Sequence, residues 1–310
     1  MNTQSNTIPE SPLESQVVAS TVIPVSRRIY WSLQRELWEN RSIYLAPLAA
    51  AAVFLFGFLV SMINLRRRIP GAWPLDPAEQ RHVLAVPYEV AAGLIMGTAF
   101  IVGVFYSLDT LYGERRDRSI LFWKSLPVSD LTTVLSKLAI PLAILPLLSF
   151  VITIATQLIM LLLSMAMLLG SGVNIATLLI QVPFLHVSLV LLYHLVTVHG
   201  LWYAPIYGWL LLVSAWAPRA PFIGAFLPPF VIYVVEKIVF NTSYFLAMLK
   251  YRLAGPEAST SMAPGGTLIN EMAALTPAQF FSTPGLWIGL AIATVFLAAA
   301  VRLRRHRGPI

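Results

Sequence analysis

The sequence predicts an all-α polytopic membrane protein, and three observations carry the expectation. Hydrophobic residues make up 57% of the 310-residue chain and charged residues 11%, and the charges gather in a few clusters. Between the clusters lie apolar runs, most of them near the ~20 residues that a helix needs to cross a bilayer. One charge-dense stretch, 106–137, contains Trp123 and Pro127 and is wedged between two such runs, so it has to lie outside the bilayer.

Residues 1–25 are rich in Ser, Thr, Gln and Pro and contain no Lys or Arg. They lack the basic start and apolar centre of a secretory signal and are expected to form a disordered tail. The pattern then changes. Over 26–42, Ile29, Leu33 and Leu37 share one helical stripe, Tyr30, Trp31 and Trp38 flank it, and Arg27, Arg28, Arg35 and Arg41 form a basic face. An amphipathic interface helix is expected there. A basic, aromatic flank to the first span is the plainer alternative.

Spans are expected near 43–63, 90–112, 138–169, 176–198, 201–217 and 285–301. A seventh apolar run, 221–240, is expected to enter the membrane without crossing. It contains Pro221, Pro228, Pro229, Glu236 and Lys237, which are tolerated at that depth only where protein or water surrounds the backbone. The competing assignment makes 201–240 one broken crossing. Six crossings put both ends on one side. Arg115, Arg116, Arg118, Lys124 and Lys137, with Arg302, Arg304, Arg305 and Arg307 in the tail, favour the cytoplasm. Arg66, Arg67, Arg68 and Arg81 then fall in an outer loop, against the charge rule.

Within the charged stretch, residues 114–125 can form about three helical turns, with Glu114 and Arg118 spaced for an i,i+4 pair. Pro127 disfavours helical geometry at Leu126, and Ser129 or Asp130 can cap the helix that follows. Asp109, near the end of its span, is expected to pair with Arg115 or Arg116.

The string ERRDRSILFWKSLPVSDLTTVLSK (114–137) resembles the cytoplasmic loop of bacterial ABC exporter permeases of the type-2 superfamily. APIYGWLLLVSAWAPRAPFIGAFLPP (204–229) is similar to a later region of one branch of that family. By layout the likeness covers most of the chain, leaving out 1–25 and 64–87. It implies a single permease domain, 26–307, with six crossings, an interface helix at 26–42, a cytoplasmic coupling helix at 114–125 and a re-entrant element before the last span. It also implies the bacterial inner membrane, a second permease chain of the same kind, and two copies of a separate ABC ATPase subunit that binds ATP and Mg. On this likeness the ATPase contact falls to Glu114, Arg115, Asp117, Arg118, Ser119, Phe122, Trp123, Lys124, Ser125 and Pro127. Ile120, Leu121, Phe122 and Trp123 would supply its apolar and aromatic anchoring. A solvated positive loop with an interfacial Trp is the alternative.

The chain has no G-x-x-x-x-G-K-[ST] phosphate loop, so it is expected neither to hydrolyse ATP nor to bind a cofactor itself. With no Cys, it has no disulfide, thiolate metal site or cysteine nucleophile. The net charge of +7 is accounted for by loops and tail and gives no reason to expect nucleic acid. Trp202, Tyr203, Tyr207, Trp209 and Trp216 are candidates for an aromatic pathway suited to an amphipathic organic molecule or peptide, although an interfacial belt accounts for them equally. His186, His194 and His199 have no acid near them in sequence, and no metal site is expected. Gly93 and Gly97 form a weak GxxxG signal for close helix approach. The competing function is a secondary transporter using intramembrane charges. A membrane-embedded enzyme ranks lowest, because no acid, His or Ser constellation is evident.

Overall fold

A computed structural model describes residues 25–68, 77–125, 128–168, 184–255 and 277–310, and every regular element among them is helical. In order these are α1 (Val25–Glu39), α2 (Ser42–Arg68), α3 (Pro77–Arg116), α4 (Ser119–Ser125), α5 (Asp130–Ala139), α6 (Leu145–Leu168), α7 (Phe184–His194), α8 (Ala204–Trp216), α9 (Pro221–Phe240), α10 (Tyr244–Ala254), α11 (Pro277–Ser282) and α12 (Pro284–His306). The expected tail, apart from Val25, lies outside the described residues, as do Pro127 and the start of the expected span 176–198.

Two wide π-helical stretches interrupt otherwise regular helices. Ile140–Ile144 joins α5 to α6 around Pro141, whose ring nitrogen supplies no hydrogen bond to the preceding turn. Leu195–Trp202 continues α7, and the chain then turns at Tyr203 with Pro205 in the first turn of α8. At the head of α5, the Ser129 side chain accepts from the Thr132 N–H, the cap that the sequence suggests.

α2, α3 and α6 share an apolar seam of Phe58, Tyr88, Ala91 and Met160, continued by Ala51, Ile95 and Ile152. α8 sits centrally. Its Tyr207 and Leu210 pack with Leu108 of α3, while Leu211 and Ala215 pack with Ala300 of α12. Small residues set these distances: a Cβ at Gly103 would lie 3.0 Å from the Tyr207 hydroxyl oxygen, and one at Gly208 would lie 3.4 Å from the Ala293 carbonyl oxygen.

Among the described residues, five stretches are long and apolar enough to cross a bilayer: Ser42–Ile63, Val86–Arg116, Asp130–Ala166, Pro221–Phe240 and Pro284–His306. The pair Ser188–Trp202 and Ala204–Trp216, bent by 45°, adds a sixth if counted as one. Two expected segments take a different helical form. Within 201–217, α8 has 13 residues and so covers about 20 Å, less than the thickness of a bilayer's apolar core. It forms instead the second half of the bent pair. Residues 221–240, expected to turn back, form one unbroken 20-residue helix that takes Pro221 in its first turn and continues through Pro228 and Pro229.

The charge that argued against a crossing has a local use. Glu236 accepts from the Thr242 hydroxyl at 2.8 Å and from the backbone N–H groups of Tyr244 and Phe245 at 2.6 and 2.9 Å. It thus caps α10 just after Asn241, whose φ of 52° reverses the chain. α10 then returns beside α9, and its Arg252 donates to the Gly285 carbonyl at 3.2 Å, at the start of α12. The guanidinium lies over Gly289, where any Cβ would overlap it.

Candidate functional site

The end of the molecule where α1, α3, α5 and α12 meet is built around buried charge. Glu36 of α1, only 2% exposed, accepts from Lys137 Nζ at 2.8 Å, from the Tyr106 hydroxyl at 2.7 Å and from Arg35 Nη2 at 2.8 Å. Lys137 also donates to Thr110 Oγ1 at 2.7 Å and lies 3.1 Å from Glu114 Oε1. The second Glu114 oxygen accepts from Arg304 at 2.9 Å, and Arg304 bonds Asp130 as well. Three acids (Glu36, Glu114, Asp130) thus face three bases (Arg35, Lys137, Arg304). Burial works to raise the Glu36 pKa. The Lys137 charge, with hydrogen bonds from Lys137, Tyr106 and Arg35, outweighs it and holds the carboxyl down at about 2.

α4 hangs from this cluster. α3 runs on through Arg116, further than the sequence suggests, and the chain breaks at Asp117 and Arg118, the latter at φ 58°. The expected three-turn helix over 114–125 is therefore the end of α3 plus the separate seven-residue α4. The expected Glu114–Arg118 pair does not form, because Glu114 points inward to Lys137 and Arg304. Ile120 is buried and anchors α4. The Trp123 ring is covered by the Arg35 guanidinium, whose carbon lies 3.7 Å from the ring centroid. Lys124 donates to the carbonyls of Arg305 and Arg307 at 3.3 and 3.2 Å. The apolar side chains left facing outward are Leu121 and Phe122, each 59% exposed.

The residues assigned to partner contact thus divide. Glu114 and Arg115 are internal, Arg115 donating to the Ala215 and Ala217 carbonyls at 2.8 and 3.2 Å. Asp117, Arg118, Phe122, Lys124 and Ser125 are exposed, Ser119 and Trp123 are half-buried, and Pro127 lies outside the described residues. Asp117 pairs with Arg116 at 2.9 Å, and that hydrogen bond lowers its pKa. Arg116 also lies 3.9 Å from Asp109, an exposed and weak version of the expected pair. Sequence reasoning missed Glu36 and the inward role of Arg304. A signal for Glu36 existed, since it shares the stripe of Leu33 and Leu37 and an acid on an apolar face calls for a partner.

A second feature lies toward the other end of α3. Glu89 is 25 residues before Glu114, about 37 Å along a helix. Together with Met96, Phe100, His194, His199 and Tyr203 it lines a cleft of about 440 Å³ between α3 and the α7 side of the molecule. Four rings cluster at one wall. His199 is edge-on to Tyr203 at 5.2 Å and to Phe100 at 6.2 Å, and Phe100 is 5.3 Å from Tyr203 and 6.1 Å from Tyr207.

Of the five aromatic residues expected to line a pathway, only Tyr203 does so. Trp202 is fully buried, donates to the Arg252 carbonyl at 2.9 Å and stacks under the Arg252 guanidinium at 4.4 Å. Tyr207 is buried against Gly103. Trp209 donates to the Ala225 carbonyl at 3.1 Å, and the exposed Trp216 lies at the charged end, where its carbonyl accepts from Arg307. Glu89 was missed because it stands one residue before the expected span. His186 carries no described side chain. Among the described residues no group of three His, Asp or Glu is placed to hold a metal ion. Comparison of the chain with family models, with curated proteins and with solved structures gives no match.

Proposed function

We propose that this chain is the membrane permease subunit of an ATP-driven exporter of the ABC type-2 kind, acting as a dimer with two separate ATPase subunits. The observation that carries the reading is α4. A short helix outside the spans offers Leu121 and Phe122 to a partner and is tied to the interior through Ile120, the Arg35–Trp123 stack and Lys124. A permease driven by a soluble ATPase needs such an element, because nucleotide-dependent movement has to reach the spans through rigid contacts. In this reading the charged end faces the cytoplasm of a bacterial inner membrane, with both termini inside. The six crossings are α2, α3, α5–α6, the bent pair, α9 and α12, and α10 with α11 forms the re-entrant element. Energy comes from ATP and Mg on the partner.

Co-expression with the cognate ATPase tests this. Mass photometry in detergent should give a complex of two permease and two ATPase chains, with no ATPase activity in the permease alone. Robust hydrolysis by the single chain would overturn the assignment. A secondary transporter using intramembrane charged residues is the second reading, favoured by one observation: one carboxyl, Glu89, and two imidazoles, His194 and His199, line the same cleft. Proteoliposomes separate the two, since uptake driven by a pH gradient without ATP would select the second.

A further inference from the structure

α1 is buried along one side only. Leu33 and Leu37 pack toward Ile43, Tyr106 and Ile140, and Glu36 beside them holds Lys137. On the opposite ridge, reached at i, i+4, i+7 and i+11, stand Arg27, Trp31, Gln34 and Trp38. Trp31 and Trp38 are 55% and 73% exposed, and Tyr30 beside them is 62% exposed. A helix facing water on that side would carry polar residues there, and this one carries its largest rings.

Where α1 ends says what covers the ridge. Only Asn40 and Arg41 separate it from α2, whose Ser42–Ile63 is apolar enough to cross a bilayer. The packed length of α1 stays at the charged end of the spans, because Arg35 lies over Trp123 and Glu36 meets Tyr106 and Lys137. The ridge thus lies where the bilayer begins. Trp and Tyr settle at that depth, with the ring in the apolar layer and the N–H or O–H among headgroups.

Charge selects the kind of lipid. Arg27 and Arg41 are exposed, and their guanidinium groups pair with no acid among the described residues. Glu39, the exposed acid of α1, is itself 3.6 Å from Arg35. We propose that the ridge binds anionic phospholipid, with Arg27 and Arg41 each taking a headgroup phosphate and the two Trp rings set between them at the acyl boundary. α1 has 15 residues, about 22 Å along its axis, with Arg27 near one end and Arg41 just past the other, so the two arginines hold separate lipids. A zwitterionic headgroup offsets its phosphate with its own cation and gains less from either arginine.

The test uses the full chain in lipid nanodiscs, labelled with a fluorophore through Gln34→Cys, at the centre of the ridge and the only thiol of this cysteine-free chain. Brominated phosphatidylglycerol or brominated phosphatidylcholine serves as quencher. Both should quench the label, and the anionic lipid should compete for the site about fivefold better, since each arginine near a headgroup layer favours anionic lipid by that factor. Arg27→Gln together with Arg41→Gln should bring the two lipids to parity, and high salt should do the same to the unmodified ridge. Trp31→Ala together with Trp38→Ala should weaken quenching by both lipids. These four side chains are exposed, so each variant should elute from a sizing column as the labelled parent does. No ATPase is present, so the result is independent of the permease reading. Equal competition by the two lipids, or a preference that survives loss of both arginines, would overturn the proposal. A label that neither lipid quenches would do the same by placing the ridge in water, and so would quantitative disulfide cross-linking of two chains through Trp31→Cys, which would make it a contact between copies.

Discussion

Replacing Lys137 with methionine should destabilise the chain by about 3–5 kcal/mol, and replacing Glu36 with glutamine as well should recover much of that loss. Lys137 is 3% exposed and lies 2.8 Å from Glu36 and 3.1 Å from Glu114. Methionine keeps most of the stem's volume, so the loss is electrostatic rather than a cavity. Without Lys137 the cluster holds three acids against two bases, and a buried carboxylate loses its partner. At an effective dielectric of about 20, one pair at roughly 4 Å is worth about 4 kcal/mol, which agrees with that range. In the double variant the position-36 carboxylate is gone too, Tyr106 still has an amide oxygen to meet, and Glu114 keeps Arg304 at 2.9 Å. A coupling energy of about 2 kcal/mol is expected. SDS titration in mixed micelles, followed by tryptophan fluorescence, measures all four corners of the cycle. If the double variant loses the sum of the single losses to within about 0.5 kcal/mol, Lys137 and Glu36 act independently and the account of the cluster is wrong.

Phe122→Ala should weaken ATPase docking by about 2 kcal/mol, roughly thirtyfold, with the chain's own stability unchanged; Trp123→Ala, by removing the platform under Arg35, should also loosen α4 in the isolated chain. The folded pKa of Glu36 is depressed, so its contribution is complete above the ordinary 4.5 and is lost as pH falls toward about 2. A fluorophore on a cysteine at 38 should therefore report α1 docked at pH 5 and released only as the pH falls from 4.5 toward about 2, with Glu36→Gln lacking that transition. In this cysteine-free background, an impermeant maleimide should reach a cysteine at 242 from outside intact cells and one at 218 only after permeabilisation; labelling of both from the same side would refute the crossing by α9. Gly103→Val should cost about 1–3 kcal/mol through overlap with the Tyr207 hydroxyl, and Tyr207→Phe in the same chain should return part of it in thermal unfolding.

The all-helical class and four of the candidate spans were legible because hydropathy reads directly what a bilayer demands of a helix. The errors concentrate at prolines and charges between 176 and 240. Residues 201–217 were expected to cross on their own because the run carries no charge, whereas the π-helical stretch Leu195–Trp202 and a 45° bend join them to α7. Pro228 and Pro229 argued against a crossing, yet α9 continues through both. Glu236 argued the same way and turned out to cap the next helix. A charge in an apolar run has two meanings, a buried functional group or a cap at a helix end, and local sequence does not tell them apart.

The charged end was illegible for a different reason. Counting basic residues for orientation treats Lys137 and Arg304 as solvated, and each is instead nearly enclosed. Their partners are distant in sequence, Lys137 meeting Glu36 across 101 positions and Arg304 meeting Glu114 across 190, so no helical spacing could announce the pairs. Each tie also joins different elements: Glu36 binds α1 to α5, Glu114 binds α3 to α5 and α12, and Arg35 binds α1 to the Trp123 ring of α4. Buried pairs of this kind add little net stability compared with apolar packing, but they penalise any arrangement that separates them. If α4 is where an ATPase pushes, the push then cannot be absorbed by α4 alone. It has to move α1 through Arg35 or strain the buried charges beside it, so variants that neutralise the cluster in balanced pairs should fold and bind the ATPase while transporting less per ATP hydrolysed.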